Sequence, residues 1–144
     1  MSLEDLYSEI VISHYKNPLG AGKLLSDGAQ ATAENSNCGD EVQLSVKIGQ
    51  KGKITDIRHQ ANGCIICKAS ASILAGTITG KQHGEATAIV EETKELINGN
   101  REVQEQKITS STEYRALSHL AQYPTRRRCG LLAWEALEKI LNKE

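Results

Sequence analysis

The sequence predicts an α+β fold, a small antiparallel sheet of about three strands with helices packed on one face. Three observations carry this. Residues 41–48 alternate strictly between apolar and polar side chains, the pattern of a half-buried strand. The signals run helix, strands, then a series of helices, and that order favours segregated α and β parts over βαβ units. The chain has 144 residues, which suits one compact core, and no repeat, low-complexity tract or long linker divides residues 1–144.

Each element has a local reason. Leu3, Leu6, Tyr7, Ile10, Val11 and His14 recur at helical spacing, so residues 3–15 read as a helix. Ser2 with Asp5 three residues on fits its N-cap, and Asn17-Pro18 ends it. Residues 18–37 are rich in Gly, Ser, Asn and Ala, and 29–34 lacks a helical stripe, so an edge strand is expected there. Val42, Leu44, Val46 and Ile48 form the alternating strand, and Gly49-Gln50-Lys51-Gly52 reads as a hairpin turn. A second strand returns over 54–61. Its alternation slips between Ile54 and Ile57, which a bulge explains.

Asn62-Gly63 breaks that strand, and a helix is expected over 65–79 with Ile66, Ala69, Ile73 and Leu74 inward and Gly80 as its stop. Another helix over 84–98 turns Ala86, Ile89, Val90, Leu96 and Ile97 inward and closes at Gly99. Residues 100–109 read as a polar connection. Ser110 and Glu113 have capping-box spacing and open a short helix with Leu117 and Leu120. Pro124 suits the first turn of a last helix reaching about Leu141, with Cys129, Leu132, Ala133, Ala136, Leu137, Ile140 and Leu141 as its stripe.

Composition narrows the function. The chain contains no Phe and only 3% aromatic residues, so a core of Leu, Ile, Val and Ala is expected. The formal net charge of −1 supplies no bulk basic field for nucleic acid. No apolar run approaches the ~20 residues that span a bilayer, and the acidic start Met1-Ser2-Leu3-Glu4-Asp5 lacks the order of a signal peptide. A cytoplasmic protein without nucleic-acid or membrane partners is expected. In such a reducing compartment the four cysteines point to metal binding or catalysis rather than disulfides.

The chemistry concentrates in Cys38-Gly39-Asp40, Cys64 and Cys129. Gly39 permits a tight turn, so Cys38 and Asp40 can face one ion. Cys64 falls between a strand end and a helix start, and Cys129 falls near the start of the last helix. The partial positive charge of a helix N-terminus favours thiolate, the form that binds metal or attacks sulfur. Three thiols and a carboxylate supply four ligands, enough for tetrahedral zinc or the edge of an iron–sulfur cluster. The harder carboxylate binds soft metals less durably, which suits a site that gives its cargo away.

Each residue also has a plainer reading. Cys129 lies on an apolar stripe where a buried structural cysteine is common. Asp40 alone reads as a turn former, and Cys64 alone is ambiguous. The spacings match no zinc finger. Cys64-Ile65-Ile66-Cys67 is a CxxC at a helix start, the rival reading as a redox dithiol, although a βαβ neighbour is missing. Cys67 is otherwise a small, half-buried helix residue. Of Arg126, Arg127 and Arg128, one or two can stabilise the Cys129 thiolate or meet an anionic partner, with a solvated helix start as the plainer alternative, above all for Arg127. His59 shares a strand side with Ile57 and Ala61, and reads as a satisfied histidine rather than a ligand.

As a set, these residues resemble the U-type iron–sulfur assembly proteins, the family of IscU, SufU and the N-terminal domain of NifU. The matching motifs are Leu6-Tyr7 to His14-Tyr15-Lys16-Asn17-Pro18, Asn37-Cys38-Gly39-Asp40, Gly63-Cys64 with Ala69-Ser70-Ala71-Ser72, and Arg126 to Cys129 with Leu132-Ala133-Trp134-Glu135-Ala136-Leu137. The long stretch between Cys64 and Cys129, and Arg128 where IscU proteins carry His, place the resemblance nearest the SufU branch. The sequence departs from that pattern at Cys67 and Lys68, where Ser and Met are usual, and at His59, where Phe is usual.

The resemblance implies the fold shared by SufE and IscU, with Cys38, Asp40, Cys64 and Cys129 binding zinc. It also implies that Cys38 accepts persulfide sulfur from a SufS-like cysteine desulfurase, and it makes Arg126 the candidate for the family's arginine near the site. A labile 2Fe-2S cluster or iron on the same ligands, passed to apo iron–sulfur proteins or carriers, is the scaffold version. Either way the protein is a sulfur carrier or sulfurtransferase-like scaffold rather than a conventional turnover enzyme. The alternatives are a CxxC redox module working through Cys64 and Cys67, and a zinc-stabilised interaction domain without sulfur transfer.

Overall fold

The computed structural model describes residues 2–36, 39–99 and 112–143. Helix α1 spans Leu3–Lys16 and opens with the expected capping box, in which Asp5 N–H donates to Ser2 Oγ and Ser2 N–H to the Asp5 carboxylate. Strands β1 (Ala29–Asn35), β2 (Asp40–Ile48) and β3 (Ile54–Asn62) form one antiparallel sheet in that order. Helices α2 (Ile65–Ile78), α3 (His83–Ile97), the short α4 (Thr112–Arg115) with a following 3-10 segment (Ala116–Gln122), and α5 (Pro124–Lys143) complete the chain. The α+β expectation therefore holds, with α2 and α5 packed on the sheet. The expected polar connection and Ser110 lie outside the described residues.

The alternation on β2 works as a half-buried strand should, with Val42, Leu44 and Val46 fully buried. Its hairpin with β3 turns through a 3-10 turn at Gln50–Gly52, where Lys51 takes φ 68°. The slip on β3 is a register shift: Lys47 faces Asp56 but Ile48 faces Ile54, so Thr55 is the extra residue. That shift lets Ile54, Ile57 and His59 all be buried.

Two expectations need correction. The inward face of α2 is far wider than its predicted stripe: Cys67, Ser70, Ala71, Ser72, Ala75 and Ile78 are buried too, while Ile66 is only half-buried. The helix lies between α1, α5 and the sheet, so little of it meets solvent. The core is also not purely aliphatic. Trp134 and Tyr114 are fully buried and meet edge to face, ring centroids 6.1 Å apart.

Polar groups set the register between elements. Trp134 Nε1 donates to Ser70 Oγ at 3.1 Å, and Ser70 Oγ donates to the Gly130 carbonyl at 2.6 Å. Both bonds are buried, so a slip of α5 against α2 strands three polar groups at once. Lys139 Nζ donates to the Thr32 carbonyl at 2.7 Å and ties α5 across β1. His14 meets Ser72 Oγ at 2.7 Å and pairs with Glu113, joining α1 to α2 and α4. No helix among the described residues is long and apolar enough to cross a membrane.

Candidate metal centre

The antiparallel register creates the site. Glu41 faces Asn62 across the ladder, so Asp40 at the start of β2 lies beside Gly63, just past the end of β3. Cys64 follows as the N-cap of α2 in extended conformation, and its side chain makes no capping hydrogen bond. Cys129 reaches the same end of the sheet from the second turn of α5. One ligand atom each from Asp40, Cys64 and Cys129 lies within 4.8 Å of the others. Three segments distant in sequence thus converge on one point.

Gly63 makes room for the carboxylate. A Cβ there would stand 2.5 Å from Asp40 Cγ, 2.7 Å from Oδ1 and 2.9 Å from Oδ2. Only a residue without a side chain lets Asp40 occupy that space. Asp40 and Cys129 are buried and Cys64 is half-buried, so the cluster opens to solvent mainly on the Cys64 side. A cleft of about 490 Å³ over the cluster is walled by Asn35, Thr125, Arg126 and Arg128.

Electrostatics define what the cluster can hold. Burial, first, then hydrogen bonding to Asp40 and the charge of Cys64 push the Cys129 thiol far above its ordinary range. Without a cation the pocket therefore keeps this proton. Two thiols and a carboxylate packed so closely cannot all ionise unless positive charge sits among them. A divalent cation reverses that balance by displacing the thiol protons. Soft sulfur with one oxygen fits zinc or an iron centre and does not fit calcium or magnesium.

Sequence-based expectations fare unevenly here. Asp40, Cys64 and Cys129 come together as expected, and Cys38 lies outside the described residues. Cys129 belongs both to the core and to the cluster: it is 3% exposed, and its Sγ still lies within 4.8 Å of the Asp40 and Cys64 atoms. Its thiol does not gain from the helix N-terminus, because it is past the first turn, where that field fades. Cys67 points into the core, fully buried, and is not among the clustered ligand atoms. His59 is buried, and its Nε2 donates to the Leu19 carbonyl at 2.7 Å. It is buried and not among the clustered ligand atoms, as the strand pattern suggested, but only half satisfied, because its Nδ1 is buried without a hydrogen-bond partner among the described residues.

The arginines divide their work. Arg128 pairs with Glu135 and reaches the Glu34 carbonyl at 3.4 Å, bracing α5 against β1. Arg127, expected to be the most solvated, is the least exposed of the three. Arg126 is exposed and lines the cleft over the cluster. It also lines an apolar groove of about 360 Å³ that ends on Cys64, with Ile12, Ile65, His119 and Tyr123. Sequence reasoning missed His119 in that wall. It is 9% exposed, meets Ser8 Oγ at 3.3 Å and stacks edge to face on Tyr123.

The family model of the NifU-like N-terminal domain matches residues 6–143. The chain belongs to the NifU-like N-terminal domain family. An iron-sulfur cluster assembly scaffold protein IscU from Streptococcus pyogenes is 34% identical over 142 residues, covering 98% of this chain and 86% of that protein. The zinc-dependent sulfurtransferase SufU from Bacillus subtilis is 32% identical over 143 residues, covering 99% and 94%. The crystal structure of a NifU-like protein (N-terminal) from Brucella abortus superposes with TM-score 0.83 at 22% identity, covering 99% of this chain and 96% of that one, and so shares the fold. In this NifU-like domain the Asp40, Cys64 and Cys129 cluster stands where the ends of the sheet, α2 and α5 meet.

Proposed function

We propose that this protein serves iron–sulfur cluster assembly as a zinc-holding sulfur acceptor and scaffold. The observation that carries the reading is the convergence of two thiols and a carboxylate within 4.8 Å in a chain of the NifU-like family. Cys38 is the fourth ligand. It precedes Asp40 by two residues, and two residues of chain reach at most about 7 Å. Zinc on these groups keeps the thiols ionised and ordered.

Cys38 is also the sulfur acceptor. Its thiolate attacks the terminal sulfur of a persulfide on a SufS-like cysteine desulfurase. A new S–S bond forms on Cys38 as the donor's S–S bond breaks, and the donor cysteine leaves as a thiolate that takes up a proton. The sulfur keeps its oxidation level, so no outside oxidant or reductant is needed. Arg126, exposed in the cleft wall, offsets negative charge on the arriving persulfide. Turning each persulfide sulfur into sulfide takes two electrons from an external thiol or electron-transfer donor; a labile 2Fe-2S cluster built from that sulfide and iron is cargo for the same ligands and passes on to apo iron–sulfur proteins.

The CxxC redox reading requires Cys67 to exchange with Cys64 at the surface, and the complete burial of Cys67 counts against it. The test is persulfide transfer from a purified cysteine desulfurase, with bound metal quantified in each variant. Cys38→Ser should abolish transfer and Cys67→Ala should retain it. Retained transfer in Cys38→Ser refutes the acceptor assignment, and loss in Cys67→Ala with full metal content supports the redox module.

A further inference from the structure

Two of the positions at which the sequence departs from the U-type pattern, His59 and Lys68, line one basin. It is a concavity of about 740 Å³. Tyr15 and Lys16 at the end of α1, Lys23 in the loop that follows, Asn62 at the end of β3, and Lys68 in α2 surround it, with His59 among its lining residues. The basin adjoins the metal centre without sharing its ligands: Lys68 follows Cys64 by about one helical turn.

The charge around this basin has one sign. Lys16, Lys23 and Lys68 line it, no acidic side chain does, and none of the three lysines is ion-paired among the described residues. His59 adds no charge, because burial pushes its pKa below the ordinary 6.5 and keeps it neutral. The Lys68 ammonium lies 5.9 Å from the centroid of the Tyr15 ring, close enough for a cation–π contact that holds it over the basin. A chain of net charge −1 thus gathers three like charges around one hollow. An anion bound there would be attracted by all three.

We propose that this basin docks an acidic segment of a partner protein. Its size and donors favour a peptide over a small anion. The ammoniums come from three separate elements around a wide basin, whereas a phosphate-sized ion needs donors converging at about 3 Å. The backbone N–H groups of Gly22 and His59 are spent on the His59 and Gly20 carbonyls, so they do not cradle an ion. Carboxylates spaced along a chain can each meet one lysine while the chain lies over Tyr15 and Ala61. A partner seated there has its neighbouring surface over Cys64.

The test is an NMR titration of the zinc-loaded, isotope-labelled protein with a glutamate-rich dodecapeptide at low salt. The glutamine version of the peptide and inorganic phosphate serve as comparison arms. The acidic peptide should shift the amide signals of Lys16, Lys23, Ala61 and Lys68. Binding should weaken about tenfold when salt rises from about 20 mM to about 200 mM. The combined variant Lys16→Gln/Lys23→Gln/Lys68→Gln should lose at least about tenfold in affinity with zinc stoichiometry unchanged, and Lys23→Gln alone should show part of that loss. Four results overturn the proposal: no binding at low salt, equal affinity in the triple variant, shifts centred on Arg126 to Arg128, or equal occupancy by phosphate or the glutamine peptide.

Discussion

Replacing Gly63 by alanine puts a methyl group where the Asp40 carboxylate now sits. The new Cβ would stand 2.5 Å from Cγ and 2.7 and 2.9 Å from the two oxygens, all inside van der Waals contact. The backbone of Asp40 is held by pairing with Asn35 across the ladder, so the side chain is the part free to move. It must swing away from Cys64 and Cys129. Misplacing a group that forms or orients a metal site costs roughly 10–100-fold in affinity, or about 1.4–2.7 kcal/mol. The metal-free fold should lose about 1–3 kcal/mol from overpacking, offset by about 0.4–1 kcal/mol because alanine restricts the unfolded chain. Competition of the protein with a chromophoric chelator for zinc reads the first quantity, and denaturant melts without metal read the second. Gly84→Ala is the control, since its added Cβ meets nothing within 4 Å among the described residues beyond its chain neighbours and its own helix backbone, and it should leave zinc affinity unchanged. Wild-type zinc affinity in Gly63→Ala would refute the placement of Asp40 as a ligand.

Ser70→Ala removes the hydroxyl shared by Trp134 Nε1 and the Gly130 carbonyl and leaves both buried groups without it. A loss of about 1–3 kcal/mol in a denaturant melt is expected, and an unchanged midpoint would contradict the proposed α2–α5 lock. Cys67→Ser places a hydroxyl in a fully buried site and should destabilise the fold by about 1–3 kcal/mol, while zinc stoichiometry stays at the wild-type value. Alkaline pH should destabilise the metal-free protein through Cys129. Burial and the neighbouring Asp40 and Cys64 raise its thiol above the ordinary 9.0. The unfolded chain releases this proton as pH passes that value and the folded chain keeps it, so stability is full below and falls above. Cys129→Ala should flatten that alkaline slope in melts recorded across the range.

The sheet was legible because β2 and β3 are half-buried, so each carries its burial as alternation, and even the bulge left its mark between Ile54 and Ile57. Helix α2 was legible in its bounds but not in its buried face, because it is enclosed on several sides. Its serines look solvent-facing in sequence, yet Ser70 and Ser72 are satisfied internally by Gly130, Leu19 and His14. Trp134 was missed for a similar reason: it falls off the counted stripe but enters the space between α5, α2 and Tyr114. The candidate metal centre was legible as residue types, since cysteines in a chain of this class invite metal. The role of Gly63 was not, because it depends on where the β2–β3 register brings Asp40. Nor could sequence divide the three arginines: the pairing of Arg128 with Glu135 spans two helical turns and needs the helix to be built.

The most direct test of the metal centre is X-ray absorption at the zinc edge of the zinc-loaded protein. Three sulfur ligands at about 2.3 Å and one oxygen at about 2.0–2.2 Å, from Cys38, Cys64, Cys129 and Asp40, are expected. Loss of one sulfur in Cys38→Ser and loss of the oxygen in Asp40→Ala should follow, with no change in Cys67→Ala. Four sulfurs in the wild type, with one lost in Cys67→Ala, would contradict this ligand set and put Cys67 in the place assigned to Asp40.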